Sequence, residues 1–182
     1  MMVPKPTDRY GSLAIGLHWL TLALLVAVYA CINLKGLFPK GSDPREALKA
    51  WHFMLGLTIL ALVMLRLANR LRAGAPAVVP ALPIWQRRSA GAVHVMLYVF
   101  MAVMPILGWS LLSAEGKSIP LFGAHLPALL SENADLAGQL KEAHETIGTI
   151  GYYLIGAHAL AALYHHFVTR DDTLLHMLPR RR

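Results

Sequence analysis

Nine histidines occur in 182 residues. Seven of them, His18, His52, His94, His144, His158, His165 and His166, lie in or at the ends of long apolar stretches. An ionisable side chain inside a bilayer is costly, so such residues face a bundle interior and mark a functional position. His144 and His158 are 14 residues apart, which on a helix is roughly 21 Å of rise and nearly four whole turns. Both imidazoles therefore project from almost the same face, one toward each end of the segment. With the apolar stretches running alternately up and down, His52 falls at the height of His144 and His18 at the height of His158. Two facing pairs result.

Paired imidazoles at two heights suit two haems, each clamped between helices in a bundle core. Gly56 and Gly148 lie one turn after His52 and His144, and Gly151 lies midway between His144 and His158; small residues there would let a flat macrocycle approach the backbone. One cysteine excludes a C-x-x-C-H attachment, so the haems expected are non-covalent, b-type and bis-histidine, built for electron transfer rather than oxygen binding. The second ring nitrogen of each ligand is expected to donate to a carbonyl one turn earlier on its own helix. Other uses stay open: packing, a proton relay, or metal transport. A transported metal would normally draw on carboxylates or thiolates as well, and the helix interiors offer only Cys31. His94 could replace His18 as the partner of His158. Its closeness to Arg87 and Arg88 assigns it to the inner rim. His125 and His176 lie outside the helices and read as surface residues.

The elements that must hold these side chains follow from composition. The chain is 56% hydrophobic and 15% charged, with a mean hydropathy of +0.49, too apolar for an ordinary soluble domain or a disordered chain. A net charge of +7 could suggest nucleic acid, but in a membrane chain excess Lys and Arg usually set topology, and no nucleic-acid partner is expected. Four uncharged or nearly uncharged stretches are each long enough to cross the roughly 30 Å hydrocarbon core. They predict an all-α, integral membrane four-helix bundle with two b-type haems in its core. It forms a single domain over residues 1–182, with helices at about 12–34, 50–71, 89–113 and 143–168. The first is read as a retained helix rather than a cleaved leader.

Arg66, Arg70, Arg72, Arg87 and Arg88 around the second connection, Lys5 and Arg9 near the start, and Arg170 and Arg180 to Arg182 near the end predict both termini on the cytoplasmic side. Trp51 and Trp109 then mark the outer interface, and Tyr10 and Trp85 the inner one. Ala73 to Pro83 reads as a stiff Pro/Ala connector. Leu126 to Leu140 reads as an amphipathic lid on the outer face, and Pro105 should kink the third helix.

The segments I-G-L-H-W-L (Ile15 to Leu20), G-L-F-P (Gly36 to Pro39), H-E-T-I-G-T-I-G-Y-Y-L-I-G-A-H-A (His144 to Ala159) and A-L-Y-H-H-F (Ala162 to Phe167) carry a resemblance, as does the ending Asp171 to Arg182. Together they resemble the bacterial cytochrome b561 family over nearly the whole chain, and look nearest to its stand-alone superoxide-oxidising members. The resemblance implies an inner-membrane enzyme that oxidises superoxide to dioxygen at the periplasmic face and passes electrons to ubiquinone, with no obligatory protein partner. It carries the family's haem-iron ligands onto His18, His52, His144 and His158, the same four residues. Lys35, Lys40, Arg45 and Lys49, with Lys141, are the candidate funnel for the superoxide anion; a solvated loop whose lysines balance Asp43 and Glu46 is the plainer reading. Quinone reduction needs protons. His94, His165 and Arg87 are the candidates there, with Arg66 and His166 nearby and Asp171 and Asp172 just beyond. Alternatively, the chain is a cytochrome b anchor relaying electrons between quinone and a periplasmic dehydrogenase or hydrogenase, or a haem-free histidine-rich transporter.

Overall fold

The computed structural model describes residues 9–74 and 76–179; Lys5 and Arg180 to Arg182, used above for topology, lie outside them. Four helices, α1 (Ser12–Leu34), α2 (Asp43–Ala73), α3 (Ile84–Ala114) and α4 (Ala134–Tyr164), run up and down. All four are long and apolar enough to cross a membrane. Apolar side chains such as Val26, Leu65, Val99, Leu160 and Phe167 point outward, as expected where the surrounding solvent is lipid.

Three helices begin earlier than the apolar runs. Hydropathy marks the thickness of the bilayer, whereas local signals mark where a helix starts. Asp43, Pro44 and Glu46 occupy the first turn of α2, where a proline loses no hydrogen bond and acids meet the positive end of the helix dipole. The same helix ends on Arg70, Arg72 and then Gly74 at φ 70°, a glycine-type stop. Pro83 precedes α3. The Asn133 side chain accepts from the Leu136 amide at 3.0 Å and starts α4 nine residues before the expected boundary. The Leu126–Leu140 lid is therefore not one element. It comprises the end of a strand, a loop and the first turns of α4. Helix α3 continues through Pro105.

Between α3 and α4 lies a small antiparallel hairpin, β1 (Ile119–Leu121) and β2 (Ala124–Leu126), which the sequence reading did not foresee. Phe122 at φ 46° and Gly123 at φ 88° form its turn, the paired positive-φ geometry that tight hairpins require. Ile119 is buried and anchors the hairpin against α2.

Neighbouring helices pack as α1 on α2, α2 on α3 and α3 on α4, with no comparable backbone approach between α1 and α4. These two meet through side chains. Tyr29 donates to the Gly148 carbonyl at 2.7 Å and lies 4.1 Å from the Tyr152 ring, and Asn33 donates to the Tyr152 hydroxyl at 2.6 Å. The apolar centre is Ile59 and Val63 of α2 with Leu97, Phe100 and Met101 of α3. Gly151 belongs to this layer, because a Cβ there would run into the Phe100 ring and the Tyr29 hydroxyl. Its smallness serves helix packing, the commoner use of small residues in membrane helices, rather than a macrocycle slot. A Cβ at Gly156 would meet nothing within 4 Å.

Gly151→Ala should therefore overpack the mid-bundle at about 1–3 kcal/mol and lower the thermal unfolding midpoint in detergent, while Gly156→Ala leaves it within error.

Candidate haem and charge-bearing site

Helix α4 carries His144 near one end of the bundle and His158 further along, and each meets an imidazole from another helix. His52 of α2 lies 6.2 Å from His144, ring centre to ring centre, and His18 of α1 lies 6.4 Å from His158. Two opposed imidazoles bonded to one metal at about 2 Å each, with each ring centre about 1.2 Å behind its nitrogen, would stand about 6.4 Å apart. Both separations fit a shared iron. His94 of α3 lies 5.4 Å from His158, so it joins the inner pair rather than standing apart on a rim. The bundle end at His158, called the inner end for the topology expected above, thus gathers three imidazoles, and the end at His144, the outer end, two.

The second ring nitrogens test the fit further. His52 Nδ1 donates to the Val28 carbonyl of α1 at 3.0 Å. The partner sits across the bundle, not one turn back on α2 as expected, yet the effect is the one ligation needs, because Nε2 is left unprotonated. His144 Nδ1 is buried with no hydrogen-bond partner among the described residues. Gly108 stands against that ring, since a Cβ there would come within 3.2 Å of His144 Cε1. Its role was not read from the sequence, although its place one turn past Pro105 on an apolar helix was visible. A Cβ at Gly56 would touch nothing within 4 Å, and one at Gly148 would reach only Met104 at 3.5 Å. At the inner end, Arg66 donates to His18 Nδ1 at 3.1 Å. A guanidinium can only donate, so this contact holds the proton of a neutral His18 on Nε2; ligation through Nε2 requires Arg66 to release Nδ1.

The basic residues of the outer end divide by task. Arg45 donates to the Lys35 and Phe38 carbonyls at 2.9 and 3.0 Å and staples the short helical turn that follows α1. Lys49 is paired with Glu46 at 2.8 Å. Lys40 is exposed in the loop, and Lys141 is exposed on α4. Lys35 is charge-coupled to Arg45, Glu145, Lys49 and Lys141, and its own charge reaches His52.

At the inner end Arg87 is exposed on the first turn of α3, and its side chain makes no hydrogen bond or ion pair among the described residues. Arg70 instead reaches back to the Tyr10 hydroxyl at 2.6 Å and lies over that ring. His165 donates from Nδ1 to Asp171, whose side chain is 1% exposed. His165 stands seven residues beyond His158, so it continues the stripe on which His144, Gly151 and His158 already recur at the same interval, about two turns per step. That repeat was the available signal for it. Asp172 accepts from the Val79 amide at 2.8 Å and pairs with His176 at 3.1 Å. His176 is buried, which corrects its reading as a surface residue, because the tail folds back over the bundle end. The Trp19 indole donates to the Met177 carbonyl at 2.7 Å. His125 is exposed on the hairpin, its Nδ1 hydrogen-bonded with the Ser118 hydroxyl at 2.6 Å.

Transmembrane helices presenting half-buried imidazoles in pairs define a membrane cytochrome of the helical-bundle class. The sequence profile of the prokaryotic cytochrome b561 family matches residues 9–180, and the chain belongs to that family. Cytochrome b561 homolog 1 of Escherichia coli K12 is 38% identical over 175 residues, covering 96% of this chain and 99% of that protein. A protein of Yersinia pestis named probable superoxide oxidase CybB is 38% identical over 174 residues, covering 96% and 98%. Cytochrome b561 homolog 2 of Escherichia coli K12 is 29% identical over 189 residues, covering 98% and 95%. Membership brings b-type haem, electron transport and a place in the lipid bilayer.

Burial would raise the Asp171 carboxyl, but hydrogen bonds from Thr173, His165 and Thr169 outweigh it and hold the group down to about 2 from an ordinary 3.8. A depressed carboxyl stabilises the fold only while ionised, so its contribution is complete above the unfolded value and fades as pH falls toward 2. The unfolding midpoint of Asp171→Asn should therefore lie below that of the unsubstituted protein at pH 5 and above, by a margin that closes as pH falls from about 5 toward 2.

Proposed function

We propose that the chain is a single-domain superoxide:quinone oxidoreductase of the bacterial inner membrane, with both termini cytoplasmic. It takes electrons from superoxide at the periplasmic face and delivers them to ubiquinone at the cytoplasmic end. Two b-type haems would be held, one by His52 and His144 at the outer end and one by His18 and His158 at the inner end. Held by two imidazoles each, such haems would supply one-electron transfer rather than oxygen binding. The observation that carries this reading is the pair of imidazole couples stacked along α4.

The residues do the rest. Lys35, Lys40 and Lys141, with Arg45 and Lys49 beneath them, give the outer end a positive field that concentrates a small anion. Superoxide gives up one electron and leaves as dioxygen, so this half needs no acid, base or nucleophile. At the other end two electrons and two protons convert each quinone to quinol, and His165, His94 and Arg87 are the groups available to bind it or pass protons. The basic second connection, from Arg66 to Arg88, supports the cytoplasmic assignment of that end. The name of the Yersinia relative favours superoxide as the donor over a separate dehydrogenase partner.

Two measurements check this. His144→Ala should halve the haem-to-protein ratio in a pyridine haemochrome assay, and His18→Ala likewise; His94→Ala should leave it unchanged, and loss of haem there instead would move the inner ligand from α1 to α3. In stopped-flow mixing, superoxide should reduce the haem absorbance and added ubiquinone should restore it. Lys35→Gln should slow the first step roughly threefold at low ionic strength and flatten its salt dependence. No reduction by superoxide, with reduction by quinol intact, would overturn the donor and favour the relay subunit.

A further inference from the structure

We propose that Asp171 is a positioning residue that holds His165 as the proton donor to a quinone oxygen; the proposal rests on the quinone reading above and deepens it. His165 keeps helical backbone angles, φ −59° and ψ −40°, and so stays on the stripe of His144 and His158. Directly after it the backbone widens into a π-helical turn, His165–Thr169, and reverses at Arg170 with φ 55°. Such turns often accompany functional sites. Here the turn folds Asp171 back beneath its own histidine: the Asp171 amide donates to the His165 carbonyl at 3.2 Å.

The carboxylate is satisfied on both oxygens by its own segment. Oδ1 accepts from the Thr173 amide at 3.0 Å, and Oδ2 accepts from His165 Nδ1, with the Thr169 hydroxyl 2.9 Å away. Asp172 is drawn off to Val79 and His176 and does not compete. Two titratable groups stand against His165: Asp171 on Nδ1, and its chain neighbour Tyr164, whose ring lies 6.1 Å away. A buried carboxylate on Nδ1 fixes the tautomer, stabilises the imidazolium and leaves Nε2 as the nitrogen that exchanges protons, the logic of any carboxylate–histidine couple in acid–base catalysis. As the quinone gains two electrons, its oxygens take two protons. One passes from His165 Nε2, which is then reprotonated by water at that face, and water supplies the other to the far oxygen, so the dyad returns unchanged.

The holoprotein, reduced with stoichiometric dithionite and mixed with a short-chain ubiquinone analogue, separates this step from superoxide chemistry. His165→Gln can still donate to Asp171 but cannot carry a proton. It should slow haem reoxidation roughly tenfold or more and flatten the pH profile, with the reduced spectrum unchanged. Asp171→Asn should do the same, Asp171→Glu should recover most of the rate, and Asp172→Asn should leave it alone. In 15N-histidine NMR the His165 signal should report the Nδ1–H tautomer and lose it in Asp171→Asn. Reoxidation of His165→Gln at the unsubstituted rate and pH profile overturns the proposal, even where Asp171→Asn fails to fold. Failure of the unsubstituted protein to be reoxidised at all would instead remove the quinone reading on which it stands.

Discussion

A polar nitrogen inside a bilayer has no water to bond with, and every other feature of this molecule answers that constraint. Helix α4 carries imidazoles at residues 144 and 158, the π-helical turn that continues it carries His165 on the same stripe, and each must meet a partner. His144 faces His52, His158 faces His18 and His94, and His165 is met by Asp171. The helices that supply those partners must stand at matched heights. That fixes the up-and-down order and the registry of α1, α2 and α3 against α4.

The packing is divided accordingly. Large side chains concentrate in one mid-bundle layer, Phe100, Met101, Ile59 and Val63, closed by Gly151 and Tyr29. Above and below it the cross-bundle contacts become polar. The α1–α4 seam is held by hydroxyl and amide hydrogen bonds from Tyr29 and Asn33 rather than by backbone approach. The protein is thus rigid at its waist and chemically equipped at both ends, with cations gathered around Lys35 at one and a carboxylate–histidine unit under a folded tail at the other.

The histidine ladder and the four spans were legible because bilayer thickness and helical rise impose fixed intervals on a sequence. Helix ends were less so: Asp43-Pro44 and Asn133 start helices outside the apolar runs, where hydropathy carries no information. Partners distant in sequence were not legible at all. Val28 behind His52, Arg66 behind His18 and Val79 beside Asp172 are contacts of tertiary structure with no local pattern. Arg45 and His176 show the same gap, since one was read as part of a charged funnel and the other as a surface residue, and each ties one segment to another. Asp171 was visible as a residue near the inner end, but only the π-helical turn brings it onto His165.

Low-temperature EPR of the oxidised, purified protein tests the central assignment most directly. Two low-spin ferric signals, both with the signature of paired imidazole ligands and separable by reductive titration, are the predicted result. A high-spin centre, or a single signal accounting for all the iron, would contradict two imidazole couples each gripping a haem.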